Sequence, residues 1–145
     1  MSTIAIICLA LTVLIILIGI SIYNSIIQRK NEVENAFGGM DAQLKKRYDL
    51  IPNLVSTVEQ YAKHEKGLFN EITQLRTQAT TGNLSNDEKV ELDNKISRSM
   101  QNLMVNVENY PDLKASSNFI NLQRSLNAVE SQISASRRAF NASVT

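Results

Sequence analysis

Apolar side chains fill the start of the chain almost without interruption and then recur only at spacings of three and four. From Ile4 to Tyr23, twenty residues, the polar members are Thr12 and Ser21, whose hydroxyls can bond back to helix carbonyls. At helical rise such a segment spans roughly 30 Å, the thickness of a bilayer's hydrocarbon core. The pattern predicts a transmembrane helix, with residues 1–28 as anchor and 29–145 as body. A cleaved signal peptide is the rival, but the residues before Ile4 carry no basic side chain and the apolar run is long for one. Cys8 reads as a small apolar side chain facing lipid.

Four further segments carry helical periodicity. The first continues out of the span through Ile26, Val33, Phe37, Met40 and Leu44 and meets Lys45, Lys46 and Arg47, cations that suit a helix C-terminus. The second is expected to begin near Asp49 or Pro52 and to run through Leu54, Val55, Val58, Tyr61, Ala62, Leu68, Phe69, Ile72 and Leu75 to Gly82, the residue type favoured just past a helix end. The third opens with Ser85, Asn86, Asp87 and Glu88, a capping box, and bears Leu92, Ile96, Met100, Leu103 and Val107. After a turn at Asn109, Tyr110, Pro111 and Asp112, the fourth starts near Ser116 or Ser117 and uses Phe119, Leu122, Leu126, Val129, Ile133 and Phe140. No strict alternation long enough to mark a strand occurs.

Short connections turn neighbouring helices antiparallel. The expected fold is all-α: one transmembrane helix continuing into an antiparallel up-down-up-down four-helix bundle. That geometry puts the Lys46 to Pro52 corner and the Asn109 to Ala115 turn together at the distal end. It returns Arg137 and Arg138 toward the bilayer, where with Arg29 and Lys30 they would form a basic rim worth about 1 kcal/mol per residue near anionic lipid. The competing reading has Arg137 and Arg138 solvated or paired with Glu side chains across the bundle. Gly38 and Gly39 conflict locally with a helix, at a cost of roughly 1 kcal/mol each relative to Ala. They mark either a hinge or a close approach by a neighbour.

Charge sharpens the picture. No Asp, Glu, Lys, Arg or His precedes Arg29, and the 15 basic and 14 acidic residues of the body leave a net charge of +1. Near-neutrality gives no footprint for nucleic acid. Arg29 and Lys30 just after the span keep the body in the cytoplasm and a short N-terminus outside.

Catalytic chemistry is hard to find. A di-iron bundle needs Glu-x-x-His pairs, whereas the single His64 has Tyr61 and Gly67 at its flanking helical positions. One Cys and one His make neither a disulfide framework nor a zinc site. No nucleophile motif or phosphate-binding glycine loop occurs. A non-enzymatic protein without metal or cofactor is expected.

Several runs do carry a resemblance. Lys45 to Val55 (KKRYDLIPNLV), Tyr61 to Lys66 (YAKHEK), Tyr110 to Ala115 (YPDLKA), Asn118 to Gln123 (NFINLQ) and Ser136 to Asn141 (SRRAFN), together with the single N-terminal anchor followed by Tyr23 to Phe37 (YNSIIQRKNEVENAF), resemble the bacterial LemA family over nearly the whole chain. The resemblance implies a membrane-anchored cytoplasmic helical bundle and no particular activity. Phe37 and Phe140 stand where Trp and Tyr are commoner in that family, and its members usually continue past the last motif, so the chain is expected to be truncated or to lack that end.

Two functions are expected on this basis. The first is a scaffold in the bacterial cell membrane whose copies self-associate, in coiled-coil fashion, to organise or shape the bilayer. The second is an adaptor presenting a distal corner, built from Arg47, Tyr48, Asp49, Tyr110, Pro111 and Asp112, to another membrane protein such as a membrane protease in envelope maintenance. The rival reading of that corner is a structural lock, with Asp49 capping the second helix and Pro52 in its first turn.

Overall fold

A computed structural model describes residues 3–145; the first two residues of the expected anchor lie outside the described residues. In chain order the helices are α1 (Thr3–Glu59), α2 (Lys66–Thr81), α3 (Asn86–Val107), α4 (Pro111–Ala115) and α5 (Ser117–Val144). Among the described residues there is no strand. The all-helical class and the N-terminal apolar helix agree with the sequence pattern.

The first expected corner does not exist. α1 is a single helix of 57 residues, about 85 Å long at helical rise, and it passes unbroken through Gly38, Gly39, Lys45, Lys46, Arg47 and Pro52. Its first part is long and apolar enough to cross a membrane and is uncovered by the rest of the chain, a criterion that a signal sequence also meets. Within it Thr12 Oγ1 donates to the Cys8 carbonyl at 2.9 Å, as expected for a hydroxyl that must bond locally in an apolar setting.

α1 runs on because its core-facing stripe runs on. Phe37, Met40, Leu44, Ile51, Leu54 and Val58 are buried, and their steps of three and four keep one face inward. The stripe has one polar member: Arg47 fills the position between Leu44 and Ile51 and is itself buried. Lys45 and Lys46 project to solvent, so they do not mark a helix end.

Pro52 stands in the helix interior, where it cannot donate to the carbonyl four residues back. That carbonyl belongs to Tyr48, and Arg76 Nε from α2 donates to it at 2.9 Å. A side chain on the neighbouring helix therefore replaces the missing backbone donor. α1 ends instead where the Tyr61 and Ala62 amides both donate to the Val58 carbonyl at 3.0 and 2.9 Å, with Ala62 fully buried. Helix two consequently starts at Lys66, well after Asp49 and Pro52.

The remaining junctions follow local chemistry. Gly82 closes α2 with an extended backbone, φ −76°, so no left-handed conformation is at stake. A Cβ there would stand 2.7 Å from the Gln78 carbonyl oxygen, to which the Gly82 amide donates at 3.0 Å. Glycine is needed for that close approach. Ser85 and Glu88 form the expected capping box on α3, and those bonds lower the Glu88 carboxyl below its ordinary range. The expected turn after Asn109 contains the short α4, with Pro111 in its first turn.

One core joins the helices. Leu92, Ile96, Met100, Leu103 and Val107 of α3, Leu113 of α4, and Phe119, Leu126 and Ile133 of α5 are buried with the α1 stripe and with Phe69 and Ile72 of α2. Each large apolar side chain removed from water contributes about 1.5 to 3 kcal/mol. α1 packs most extensively on α5, and α2 lies against both α1 and α3. Phe37 meets Phe140 edge to face at 5.4 Å between centroids. Lys89 stands 5.7 Å from the Phe37 centroid and 2.8 Å from Asp41. Ser99 of α3 donates to Glu71 of α2 at 2.6 Å, and Asn106 of α3 donates to Glu65, the residue before α2, at 3.5 Å.

Candidate functional site

The stripes of two helices each carry one charge. Arg47 occupies a core position of α1, and Asp93 does the same in α3, where Asp93, Ile96, Met100, Leu103 and Val107 repeat at steps of three and four and all are buried. Arg47 is 3% exposed and Asp93 1%. Neither can recover hydration, so each needs a partner.

They partner each other and two residues of α5. Arg47 Nη1 donates to Asp93 Oδ1 at 2.5 Å and to Ser97 Oγ at 2.8 Å, while its Nη2 pairs with the Glu130 carboxylate. The other oxygen of Asp93 accepts from Arg137 Nη2 at 3.0 Å, and Arg137 Nη1 donates to Asn94 Oδ1 at 3.1 Å. Arg137 Nε is buried without a hydrogen-bond partner among the described residues. Two guanidinium groups thus face two carboxylates. Such a cluster contributes little net stability against an apolar replacement, but breaking it strands a buried charge. Charged groups at core positions penalise any register that separates them.

Tyr48 follows Arg47 and is also buried. Burial, with a smaller push from the Asp93 carboxylate that outweighs the pull of Arg47, holds its phenol well above the ordinary value near 10.

On one side the cluster opens. An open groove of about 370 Å³ between α3 and α5 is lined by Arg47, Ser97, Met100, Met104, Leu126 and Glu130 among others. Arg47 forms its floor from α1, and the Glu130 side chain, half-exposed, stands at its mouth. The arrangement can hold a carboxylate against a guanidinium beside apolar walls.

The residues singled out in the sequence fall in different places. Arg47 and Tyr48 are buried midway along the body rather than at a corner, and Asp49 is exposed on α1, where it caps nothing. Tyr110 is half-buried before α4, with Pro111 and Asp112 exposed. The two motifs are therefore not brought together: Arg47 lies level with Glu130 of α5, whereas Tyr110 adjoins α4 near the start of that helix. The reason is the missing corner, since α1 continues past Arg47 to Glu59.

Arg137 leaves the expected basic rim, because its guanidinium pairs with Asp93 at 3.0 Å and its side chain is half-buried. Arg29, Lys30 and Arg138 are exposed, and Lys30 lies 3.7 Å from Glu34. Gly38 and Gly39 form neither a break in α1 nor a close contact within the chain, for a Cβ at either would meet nothing within 4 Å. His64 lines an open pocket of about 830 Å³ with Ser56, Glu59, Gln60, Lys63 and Lys66. Among the described residues no three of His, Cys, Asp and Glu gather as a metal-holding group.

Asp93, Glu130 and Arg76 were not anticipated. For Asp93 the signal was present, as it falls in step with Ile96 and Met100 just as Arg47 falls in step with Leu44 and Ile51. Glu130 and Arg76 sit on exposed-looking faces and acquire their roles only from the packing.

Comparison with known proteins agrees with the residue runs. The LemA family model matches residues 36–145, which is most of the chain and takes in every residue of the buried core. A curated relative, Protein LemA of Metamycoplasma hominis, is 27% identical over 118 residues, covering 81% of this chain and 54% of that protein. The aligned region thus spans about half the length of the relative. With the family match extending over the helices that carry Arg47, Asp93, Glu130 and Arg137, the chain belongs to the LemA family.

Proposed function

We propose that the chain is a non-enzymatic, membrane-anchored helical scaffold whose copies self-associate side by side to organise or shape the bilayer. The observation that carries this reading is the unbroken α1, Thr3–Glu59, which makes the apolar anchor and the packed body one rigid rod. A rod without a hinge transmits lateral packing of the bodies directly to the membrane.

Further features support it. The stripe that is buried from Phe37 onward continues below it through Val33 to Ile26, which is 63% exposed, leaving an apolar seam for a second copy. Gly38 and Gly39 present open backbone on the same helix. The four long helices are read as an up-down-up-down antiparallel bundle: ten residues on from Phe37 to Arg47 in α1 correspond to ten residues back from Phe140 to Glu130 in α5. Residues 1–28 act as anchor and 29–145 as body. Arg29 and Lys30 beyond a span with no preceding Lys or Arg favour a cytoplasmic body, and Arg29, Lys30 and Arg138 face anionic lipid. The partners are the bilayer and further copies of the chain, with nucleic acid disfavoured by the net charge.

A second reading, the adaptor for another membrane protein, is favoured by one observation. The wide pocket at Glu59 to Lys66 and the Tyr110 turn lie at one end of the body, where Asn106 meets Glu65. Its contact residues would be Tyr110, Pro111, Asp112, Lys63 and His64, without Arg47 or Tyr48.

Size measurement of the detergent-extracted chain over a concentration series, with imaging of reconstituted vesicles, tests the scaffold. Concentration-dependent assembly and altered vesicle shape are expected. A strict monomer with undeformed vesicles would overturn it.

A further inference from the structure

We propose that the groove between α3 and α5 binds a water-soluble monocarboxylate with an apolar tail, whose carboxylate takes the place of Glu130 on Arg47. The proposal is independent of self-association.

The four charges of the cluster are unequal in how easily they can be withdrawn. Arg47 and Asp93 are sealed in, with side chains 4% and 1% exposed, whereas the Glu130 side chain is 50% exposed. A half-exposed carboxylate regains its hydration when it rotates into water, so the cost of withdrawing Glu130 falls on the guanidinium it leaves and not on the carboxylate itself. Arg47 cannot follow it. Once Glu130 swings out, Nη2 of a buried guanidinium lacks a partner, a penalty relieved only by another anion. A monovalent carboxylate restores the two-against-two balance of the cluster; a second charge on the same ligand would exceed it.

The walls define the rest of the ligand. Met100 and Met104 of α3 face Leu126 of α5 across the groove, and methionine adapts to irregular apolar shapes. The volume of about 370 Å³ lies at the small end of ligand sites, enough for a short alkyl chain. The backbones of α3 and α5 make no extensive contact of their own, so this side of the body can admit a guest without parting a packed interface. Position excludes a lipid still seated in the bilayer: Arg47 lies 19 residues beyond Gln28, about 30 Å out at helical rise. An acidic amphipathic segment of a partner protein is the other source of the same chemistry, and a groove of this size with one cation at its floor fits the small molecule better.

The test uses the full chain in lipid nanodiscs and the probes acetate, butanoate, octanoate and 1-octanol, with binding read by titration calorimetry and thermal stability. Octanoate should bind the wild type saturably. Glu130→Gln removes the competing carboxylate and leaves Arg47 in place, so it should bind octanoate about tenfold more tightly, with affinity rising from acetate to octanoate. Octanoate should also restore the melting temperature lost by Glu130→Gln, and Met104→Gln should weaken octanoate while leaving acetate unchanged. Absence of saturable octanoate binding to both wild type and Glu130→Gln overturns the proposal. So does equal rescue by acetate, which would mean ion-pair replacement without use of the groove, or equal binding of 1-octanol, which would mean partition into lipid. An acidic helical peptide that binds Glu130→Gln when octanoate does not would also overturn it in favour of a macromolecular partner.

Discussion

Arg76 Nε donates to the carbonyl oxygen of Tyr48 at 2.9 Å, the acceptor that Pro52 leaves without its helical donor. This one bond links α2 to the weakest point of α1. It accounts for how a proline sits inside a helix that runs unbroken from the apolar N-terminal segment into the packed body.

Arg76→Ala should destabilise the chain by about 1 to 2 kcal/mol, because a part-buried carbonyl loses its donor. In a Pro52→Ala background the backbone amide restored at that position supplies the donor, and the cost of Arg76→Ala should fall below about 0.5 kcal/mol, the scatter expected for uncoupled sites. A double-mutant cycle by thermal unfolding in detergent checks this. Equal costs in both backgrounds would mean that Arg76 acts elsewhere.

The buried ion cluster makes a second expectation. Asp93→Leu leaves Arg47 buried without Asp93 and should cost about 3 to 5 kcal/mol, whereas adding Arg47→Met removes the stranded charge and should recover part of the loss. The same unfolding assay reads the recovery. A double variant no more stable than Asp93→Leu alone would show that the cluster does not act as a unit.

Tyr48 predicts alkaline behaviour. Its folded phenol is raised above the ordinary value near 10, so the folded state favours the protonated form. The sign follows: this stabilisation is fully present below pH about 10 and is lost as pH rises through the folded value. Wild type should lose stability above pH 10 more steeply than Tyr48→Phe, and the phenolate absorbance missing from Tyr48→Phe should appear together with unfolding. An alkaline slope unchanged by the substitution contradicts this.

The glycines separate three roles. Gly82→Ala forces a Cβ to 2.7 Å from the Gln78 oxygen and should lower stability. Gly38→Ala and Gly39→Ala meet open space and should each raise stability by about 0.5 to 1 kcal/mol through helix propensity. Added methyl groups should nonetheless weaken self-association if a second copy packs closely there. Unfolding and sedimentation of the same variants read the two effects separately.

Much of the fold was legible in the residues. The stripe of α3 is buried, that of α5 is buried at Phe119, Leu126 and Ile133 and half-buried at Leu122, Val129 and Phe140, and the Ser85–Glu88 capping box and the start of α5 fell where local chemistry put them. The failure at Lys45 to Pro52 has one cause: three cations and a proline imitate a helix end although the apolar steps through Leu44, Ile51 and Leu54 run on in phase, and what makes a buried Arg47 and an interior Pro52 tolerable is tertiary. Arg47 reads as surface until Asp93, Glu130 and Ser97 surround it, and Pro52 reads as a first-turn residue until Arg76 occupies the Tyr48 carbonyl. Both compensating sets lie on other helices, so neither is visible within the α1 segment. A charge in phase with an apolar stripe, repeated with opposite sign in another helix, was the available clue.

The most direct measurement is the number of copies per assembly in native membrane. Stepwise photobleaching of the fluorescently tagged full chain in native membrane fragments reports it. The scaffold account predicts multiple bleaching steps per spot that fall toward one when Ile26 and Val33 are replaced by Lys and Glu. Single-step spots for the unaltered chain at all expression levels would contradict it.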